Sequence, residues 1–169
     1  MSVARHAYRL ARDEDLPGIV AIYNDTVASR LVTADLEPVS VESRRAWFDE
    51  HRSATRPLWV VEQPQGLAAW LSFSSFYGRP AYAGTAEVSV YVDRHCRRHG
   101  IATFLLRAAI DAAPQLGLRT LLGFIFGHNA PSLELFARAG FERWGTLPRV
   151  ARLDELERDL VLLGRRVAP

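Results

Sequence analysis

The stretch from Glu87 to Leu106 constrains this chain more than any other, because it reads as a strand, a basic turn and a helix in immediate succession. Val88, Val90 and Val92 alternate with Ser89 and Tyr91, and β-branched residues at period two suit a pleated strand. Arg94 to His99 forms a dense basic turn. Ile101, Phe104, Leu105, Ala108, Ala109 and Ala112 then recur at the i, i+3, i+4, i+7 spacing of one apolar helix face. Gly100 stands at the joint. A helix beginning there aims its unpaired N–H groups and the positive end of its dipole at the mouth of the turn. Arg97 and Arg98 add fixed charge beside it, an arrangement that suits a phosphate or pyrophosphate. Two other roles fit the same residues: a surface turn tightened by a glycine, and a patch for a nucleic-acid backbone.

Composition separates these roles. All 21 basic residues are arginine, set against 19 acidic ones for a net charge of +2. They are spread along the chain, and the one dense cluster is short for a nucleic-acid footprint and lacks interleaved aromatics. No nucleic-acid partner is expected. The absence of lysine excludes an internal aldimine and a Walker-type phosphate loop. A single cysteine, Cys96, excludes a disulfide framework or a Cys-rich zinc site, and a small buried residue is the better reading of it than a nucleophile. The histidines, His6, His51, His95, His99 and His128, show no metal-ligand spacing on one element, so no metal is expected. No apolar run is long enough to span a bilayer, and Met1 to His6 lacks the apolar core of a signal peptide. The cytoplasm is the expected location. At 169 residues, 49% hydrophobic and 24% charged, residues 1–169 read as one globular domain.

Along the chain, Tyr8 to Leu10 reads as a first strand. A helix opens at Asp13 with Leu16, Ile19, Val20 and Tyr23 as its stripe, followed by a loop or short irregular helix from Asn24 to Pro38. Ser40 is the candidate N-cap of a second helix carrying Trp47 and Phe48. Leu58 to Gln63 and Leu67 to Phe76 read as a hairpin around Pro64-Gln65-Gly66, and the loop Tyr77 to Pro80 leads to the strand at Thr85. After the central helix, capped by Gly117, come a buried strand, Thr120 to Phe126, and a short helix begun at His128 to Ser132 and stopped by Gly140. Phe141 to Leu147 and Leu156 to Leu163 are the last strands. The order β-α-α-β-β-β-α-β-α-β-β implies an α+β domain with a mixed sheet.

Arg97-x-x-Gly100-x-Ala102, placed between strand and helix, resembles the acetyl-coenzyme A signature of the GNAT superfamily N-acetyltransferases, and the element order resembles theirs over nearly the whole chain. Asn129-x-x-Ser132 followed by Ala139-Gly140-Phe141 resembles the second cofactor segment. Within the superfamily, Glu87-x-x-Val90-Tyr91-Val92, Asn129-Ala130-Pro131-Ser132 and Gly145-Thr146-Leu147 resemble the phosphinothricin and methionine sulfoximine acetyltransferase group. Leu36-Glu37-Pro38 and Trp47-Phe48 resemble its N-terminal part.

The resemblance implies a GNAT-like, mostly antiparallel mixed sheet flanked by helices, and transfer of an acetyl group from acetyl-CoA to the α-amine of a small amino-acid-like acceptor. Arg97, Arg98, His99, Gly100, Ile101, Ala102 and Thr103 would hold the pyrophosphate. Val90, Tyr91 and Val92 would line the pantetheine arm, with a backbone N–H near Tyr91 or Val92 polarising the thioester carbonyl. Asn129 would hydrogen-bond the pantetheine, although a helix N-cap accounts for it equally well, and Ser132 lies beside it. Glu87 matches the general base, needed because an amine is mostly ammonium at neutral pH; the alternative is a surface glutamate at a strand end. Arg79, flanked by Tyr77 and Tyr82, is the candidate for the acceptor carboxylate, or else a solvated loop arginine. The group also implies a homodimer, in which the late apolar strand Leu156 to Leu163 could meet a partner.

The chain departs from the pattern at two places. Phe136 stands where many GNAT enzymes carry a tyrosine that protonates the leaving thiolate, and Ala34 replaces a bulkier pocket residue. Competing functions on the same fold are a protein N-terminal or aminoglycoside acetyltransferase and a catalytically silent CoA-binding sensor.

Overall fold

The computed structural model describes residues 6–168; Met1 to Arg5, read above for a signal peptide, lie outside them. In chain order the elements are β1 (Arg9–Leu10), α1 (Leu16–Val27), α2 (Arg45–Glu50), β2 (Leu58–Gln63), β3 (Gly66–Ser75), β4 (Thr85–Val92), α3 (Ile101–Ala112), β5 (Thr120–Phe126), α4 (Ala130–Arg138), β6 (Glu142–Leu153) and β7 (Leu156–Arg166). The strands form one sheet in the order β1-β2-β3-β4-β5-β7-β6. Every neighbouring pair is antiparallel except β4 and β5. This is the mixed, mostly antiparallel α+β arrangement expected from the sequence.

Strand alternation divides the core in two. Ala69, Leu71 and Phe73 of β3 face one side with Val88 of β4, packed against Ile101, Leu105 and Ala109 of α3. Trp70 faces the other side, with Leu58 and Val60 of β2, and is covered by Ile19, Val20 and Tyr23 of α1 and Phe48 of α2. On this second face β3 continues with Ser72 and Ser74 where a core would ask for apolar residues. The site is built there.

Helix α1 is anchored at its start. Both carboxylate oxygens of Asp15 accept from the Arg9 guanidinium, at 2.6 and 2.9 Å, and Oδ2 also accepts from the Arg12 N–H at 2.7 Å. Asn24 and Asp25, read from the sequence as the start of a loop or short irregular helix, belong to α1. The reason lies off the helix: the Asn24 amide clamps both backbone groups of Val39, donating to its carbonyl at 2.8 Å and accepting its N–H at 2.9 Å. Its polar groups therefore do not compete with the helix backbone. Ser40 accepts the Ser43 N–H at 3.0 Å beside the 3-10 turn that leads into α2, but α2 itself starts from Arg44, without a side-chain cap.

The last two strands are longer than their apolar cores predict and correct one expectation. Strand β7 pairs with β5 on one side and β6 on the other, so it offers no free edge to a partner. The edge is β6, whose register breaks between Leu147 and Ala151, around Pro148 and a left-handed Arg149. A missing N–H and a bulge both blunt an edge against strand addition.

Candidate active site

The parallel ladder between β4 and β5 is short. It joins Thr85 to Thr120, Ala86 to Leu121 and Glu87 to Leu122, and there it stops. Strand β4 continues to Val92 while paired with β3, and β5 continues to Phe126 while paired with β7. The two therefore part beyond Glu87, and their facing backbone groups have no strand partner across the gap. Unpaired backbone in the middle of a sheet is costly unless a ligand or water satisfies it. The resulting cleft is lined by Val88, Val90 and Tyr91 on one wall and Phe124 and Ile125 on the other, with Asn129 and Ser132 near its end.

At the wide end lies the basic turn. Asp93 caps it, accepting the His95 N–H at 2.8 Å. Arg98 and Gly100 adopt left-handed conformations, φ 65° and 78°, which turn the chain back so that α3 begins at Ile101. No side chain caps α3, so the first-turn N–H groups of Ile101, Ala102 and Thr103 are open to a ligand. Arg97, Arg98 and His99 are exposed around them, while the Ile101 side chain is buried in the core. A Cβ at Gly100 would meet no protein atom within 4 Å, so its place is set by backbone conformation rather than by crowding.

Asn129 takes the N-cap reading of its sequence. Its Oδ1 accepts the Ser132 N–H at 3.2 Å, capping α4, while its side chain lies buried against the cleft. The cap uses the oxygen and leaves the amide N–H groups as donors.

Glu87 stands on the α1 and α2 side of the sheet, in a cavity of about 200 Å³ lined by Tyr23, Arg44, Trp47, Trp70, Ser72 and Ser74 among others. Ser89 and Tyr91 line both this cavity and the cleft, so the two join at these residues. Burial pushes the Glu87 carboxyl above its ordinary range, only partly offset by the Ser89 hydroxyl, which donates to Oε1 at 3.4 Å. Burial likewise pushes the Tyr91 phenol up. The Trp70 and Tyr91 rings stack at 4.3 Å, and the Trp70 indole N–H is held by the Ile19 carbonyl at 3.1 Å. The Arg44 guanidinium lies 4.5 Å from the Tyr23 ring centroid and 5.6 Å from that of Trp47, and it pairs with Asp35 at 3.2 Å. The Tyr23 hydroxyl bonds Thr33 and Asp35. These contacts tie the α1–α2 loop to Tyr23 and Arg44 of the cavity wall.

The sequence profile described as "Acetyltransferase (GNAT) family" matches residues 6–141. The chain belongs to the GNAT acetyltransferase family. It is 53% identical over 161 residues to YwnH of Bacillus subtilis (strain 168), covering 95% of this chain and 98% of that one. It is 36% identical over 139 residues to the L-methionine sulfoximine/L-methionine sulfone acetyltransferase of Pseudomonas aeruginosa, covering 82% and 81%. Among solved GNAT structures, that of a phosphinothricin acetyltransferase (Pat) from Sinorhizobium meliloti in complex with AcCoA superposes with a TM-score of 0.90 at 25% identity, covering 96% of this chain and 89% of that one. The chain is thus an acetyltransferase on the GNAT fold, related to phosphinothricin and methionine sulfoximine acetyltransferases.

Within this GNAT site the sequence-predicted residues do not all converge. Glu87, Tyr91 and the cleft residues do. Arg79 and Tyr82 instead line a second cavity of about 920 Å³, which borders the Glu87 cavity at Trp47 and Ser74. Tyr77 is 77% exposed and stacks edge-on to Phe76 rather than facing Glu87. Phe136 is buried beside the cleft against Phe141, with no proton to give. Sequence reasoning missed Arg44, Trp47, Ser72 and Ser74. A signal for the serines was present: Trp70, Ser72 and Ser74 share one face of a strand whose other face carries Ala69, Leu71 and Phe73. Among the described residues no cluster of three or more His, Cys, Asp or Glu could hold a metal, and no helix is long and apolar enough to cross a membrane.

Proposed function

We propose that the protein transfers the acetyl group of acetyl-CoA to the α-amine of a small amino-acid-like acceptor of the phosphinothricin or methionine sulfoximine type, with Glu87 as general base. One observation carries the reading: a half-buried carboxylate with a raised pKa stands where an acceptor-sized cavity meets a cleft walled by unpaired backbone. A base poised nearer neutrality is what deprotonation of an ammonium requires.

Acetyl-CoA supplies the activated acetyl group as a thioester. The N–H groups of Ile101, Ala102 and Thr103, with the flanking Arg97 and Arg98, bind the pyrophosphate. The open edges of β4 and β5 receive the amide-bearing pantetheine arm as a further strand would be received, and Asn129 donates to it. A backbone N–H at Tyr91 or Val92 steadies the charge that develops on the carbonyl oxygen. Glu87 takes the acceptor's proton. The departing thiolate is protonated by water or by Ser132, since Phe136 cannot serve. Arg79 reaches from the neighbouring cavity to the acceptor's carboxylate, and the protein works as a cytoplasmic homodimer.

A cavity of about 200 Å³ favours an amino acid over an aminoglycoside or a folded protein's N-terminus. The test is thiol release from acetyl-CoA over amino acids, sulfoximines, polyamines, aminoglycosides and peptides. Turnover with the amino acids and sulfoximines is expected. Turnover with none of these classes, with acetyl-CoA still bound, would make the chain a sensor.

A further inference from the structure

His51, the residue that ends α2, is nearly buried, with 7% of its surface exposed. Its ring is oriented from both sides. Nδ1 lies 2.7 Å from the Trp47 carbonyl, and a carbonyl only accepts, so Nδ1 carries the proton. Nε2 is then the lone pair of a neutral imidazole, 3.3 Å from the Ser74 hydroxyl, which donates to it. Burial lowers the basicity of the ring and keeps it neutral in the resting state.

Ser74 faces the other way as well. It is paired directly with Glu87 across the β3–β4 ladder. Directly opposed residues have Cβ atoms about 4.5–5.5 Å apart, close enough for one water to join the carboxyl, bonded to Ser89, to the hydroxyl, bonded to His51. Ser74 lines the Glu87 cavity and the larger one, and His51 lines the larger one, so this pair forms part of the partition between them. We propose that His51 is a positioning residue for the acetyl transfer: acting through Ser74, it orients the Glu87 carboxylate and carries its proton to the solvent of the outer cavity.

The step balances. Glu87 takes one proton from the acceptor nitrogen. Its carboxyl proton passes to Ser74 Oγ as the serine's own proton passes to His51 Nε2, giving an imidazolium whose Nδ1–H still donates to Trp47. The imidazolium releases the Nε2 proton to water in the outer cavity, restoring carboxylate, hydroxyl and neutral ring. An acceptor filling the inner cavity displaces water from the other side of Glu87, so an exit through the partition lets the base reset between turnovers. The charged groups around this path are Glu50 on α2 and Arg56 and Arg79 on the outer cavity wall, with Glu87 beyond Ser74.

The inference rests on Glu87 as base, and the experiment separates the two. His51→Ala and Ser74→Ala should each lower kcat by about tenfold near neutrality, the low end for proton-transfer groups, with KM for acetyl-CoA unchanged. In His51→Ala, added imidazoles should restore turnover in order of their basicity, because the outer cavity admits them. The rescue should vanish in the double variant with Ser74→Ala. Wild-type kcat in both single variants, or equal rescue by imidazole and the weakly basic pyrazole, would overturn the relay. If His51→Ala fails to fold, Ser74→Ala alone decides: undiminished kcat refutes the relay and a tenfold loss supports it. Loss of rate in Glu87→Gln with none in the other two discards the relay and keeps the base, whereas full activity in Glu87→Gln discards the base itself.

Discussion

Glu87 is paired with Leu122 at the last rung of the parallel ladder between β4 and β5. The carboxylate is therefore fixed by two strands at the point where the sheet divides, with the acceptor cavity on one face and the cleft opening directly beyond it. Cavity and cleft meet at the same few residues, Ser89 and Tyr91, so under the proposed function the architecture of the sheet would bring both reacting partners together.

Gly100→Val forces a β-branched residue to φ 78° and puts a side chain into the open space at the start of α3. The strain costs about 1–3 kcal/mol of stability, which lowers Tm without abolishing the fold. Affinity for acetyl-CoA should fall by at least about tenfold as the pyrophosphate loses close backbone approach. Titration calorimetry on the folded variant checks this; an unchanged Kd would remove the pyrophosphate from this turn.

Arg79→Ala should cost an amino acid about 2–3 kcal/mol in kcat/KM while barely affecting the corresponding decarboxylated amine, since the lost interaction is a charged hydrogen bond to the carboxylate. Because Arg44 lies inside the Glu87 cavity and Arg79 in its neighbour, Arg44→Ala is the natural companion. A carboxylate-selective loss confined to Arg44→Ala would assign recognition to the inner arginine instead.

Much of the fold was legible before any coordinates. The element order and the glycine at the joint before α3 rest on local signals: β-branched alternation, helical spacing and a residue suited to a tight turn. What stayed hidden is non-local. Arg44 and Trp47 sit on a short helix whose sequence says nothing of what it faces, and Ser74 acquires its meaning from its register opposite Glu87. The end of the β4–β5 ladder is likewise invisible in either strand alone. Asn24 read as the start of a loop or short irregular helix because its side chain finds its partners fifteen residues away in Val39. Arg79 was placed by its neighbours in sequence, and only packing shows that it lines the cavity next to the one that holds Glu87.

Homodimerisation should give a scattering mass of twice the 18.9 kDa chain at micromolar concentration. Since β7 is internal, the side chains available around the hairpin are Trp144, Leu147, Val150 and Leu156, all substantially exposed. Val150→Glu should weaken a dimer formed through them. A monomer mass for the parent protein discards the prediction.

Asp15 ties stability to acid. Burial alone would raise its pKa, but the Arg9 guanidinium and the Arg12 N–H more than offset this and hold the carboxyl below its ordinary value. A depressed carboxyl contributes stability that is present above the unfolded-state value and is lost as pH falls through the folded one. Asp15→Asn should cost about 1.5–3 kcal/mol at neutral pH, the worth of a charged hydrogen bond in a partly buried site, and less in acid. Urea melts at pH 7 and pH 3 measure it; equal losses at both would contradict the assignment.

The central claim is that Glu87 is the base, and the pH dependence of single-turnover acetyl transfer in Glu87→Gln tests it most directly. Burial raises the Glu87 pKa, so the wild-type rate should climb with pH through a value above the ordinary carboxylate range. In Glu87→Gln that limb should disappear, and the rate should fall by about 10²-fold or more near neutrality with acetyl-CoA affinity intact. Above that limb the deficit should shrink as pH rises further and free amine becomes abundant. A deficit that stays constant at every pH would contradict the account and leave Glu87 as a residue that positions the acceptor without taking its proton.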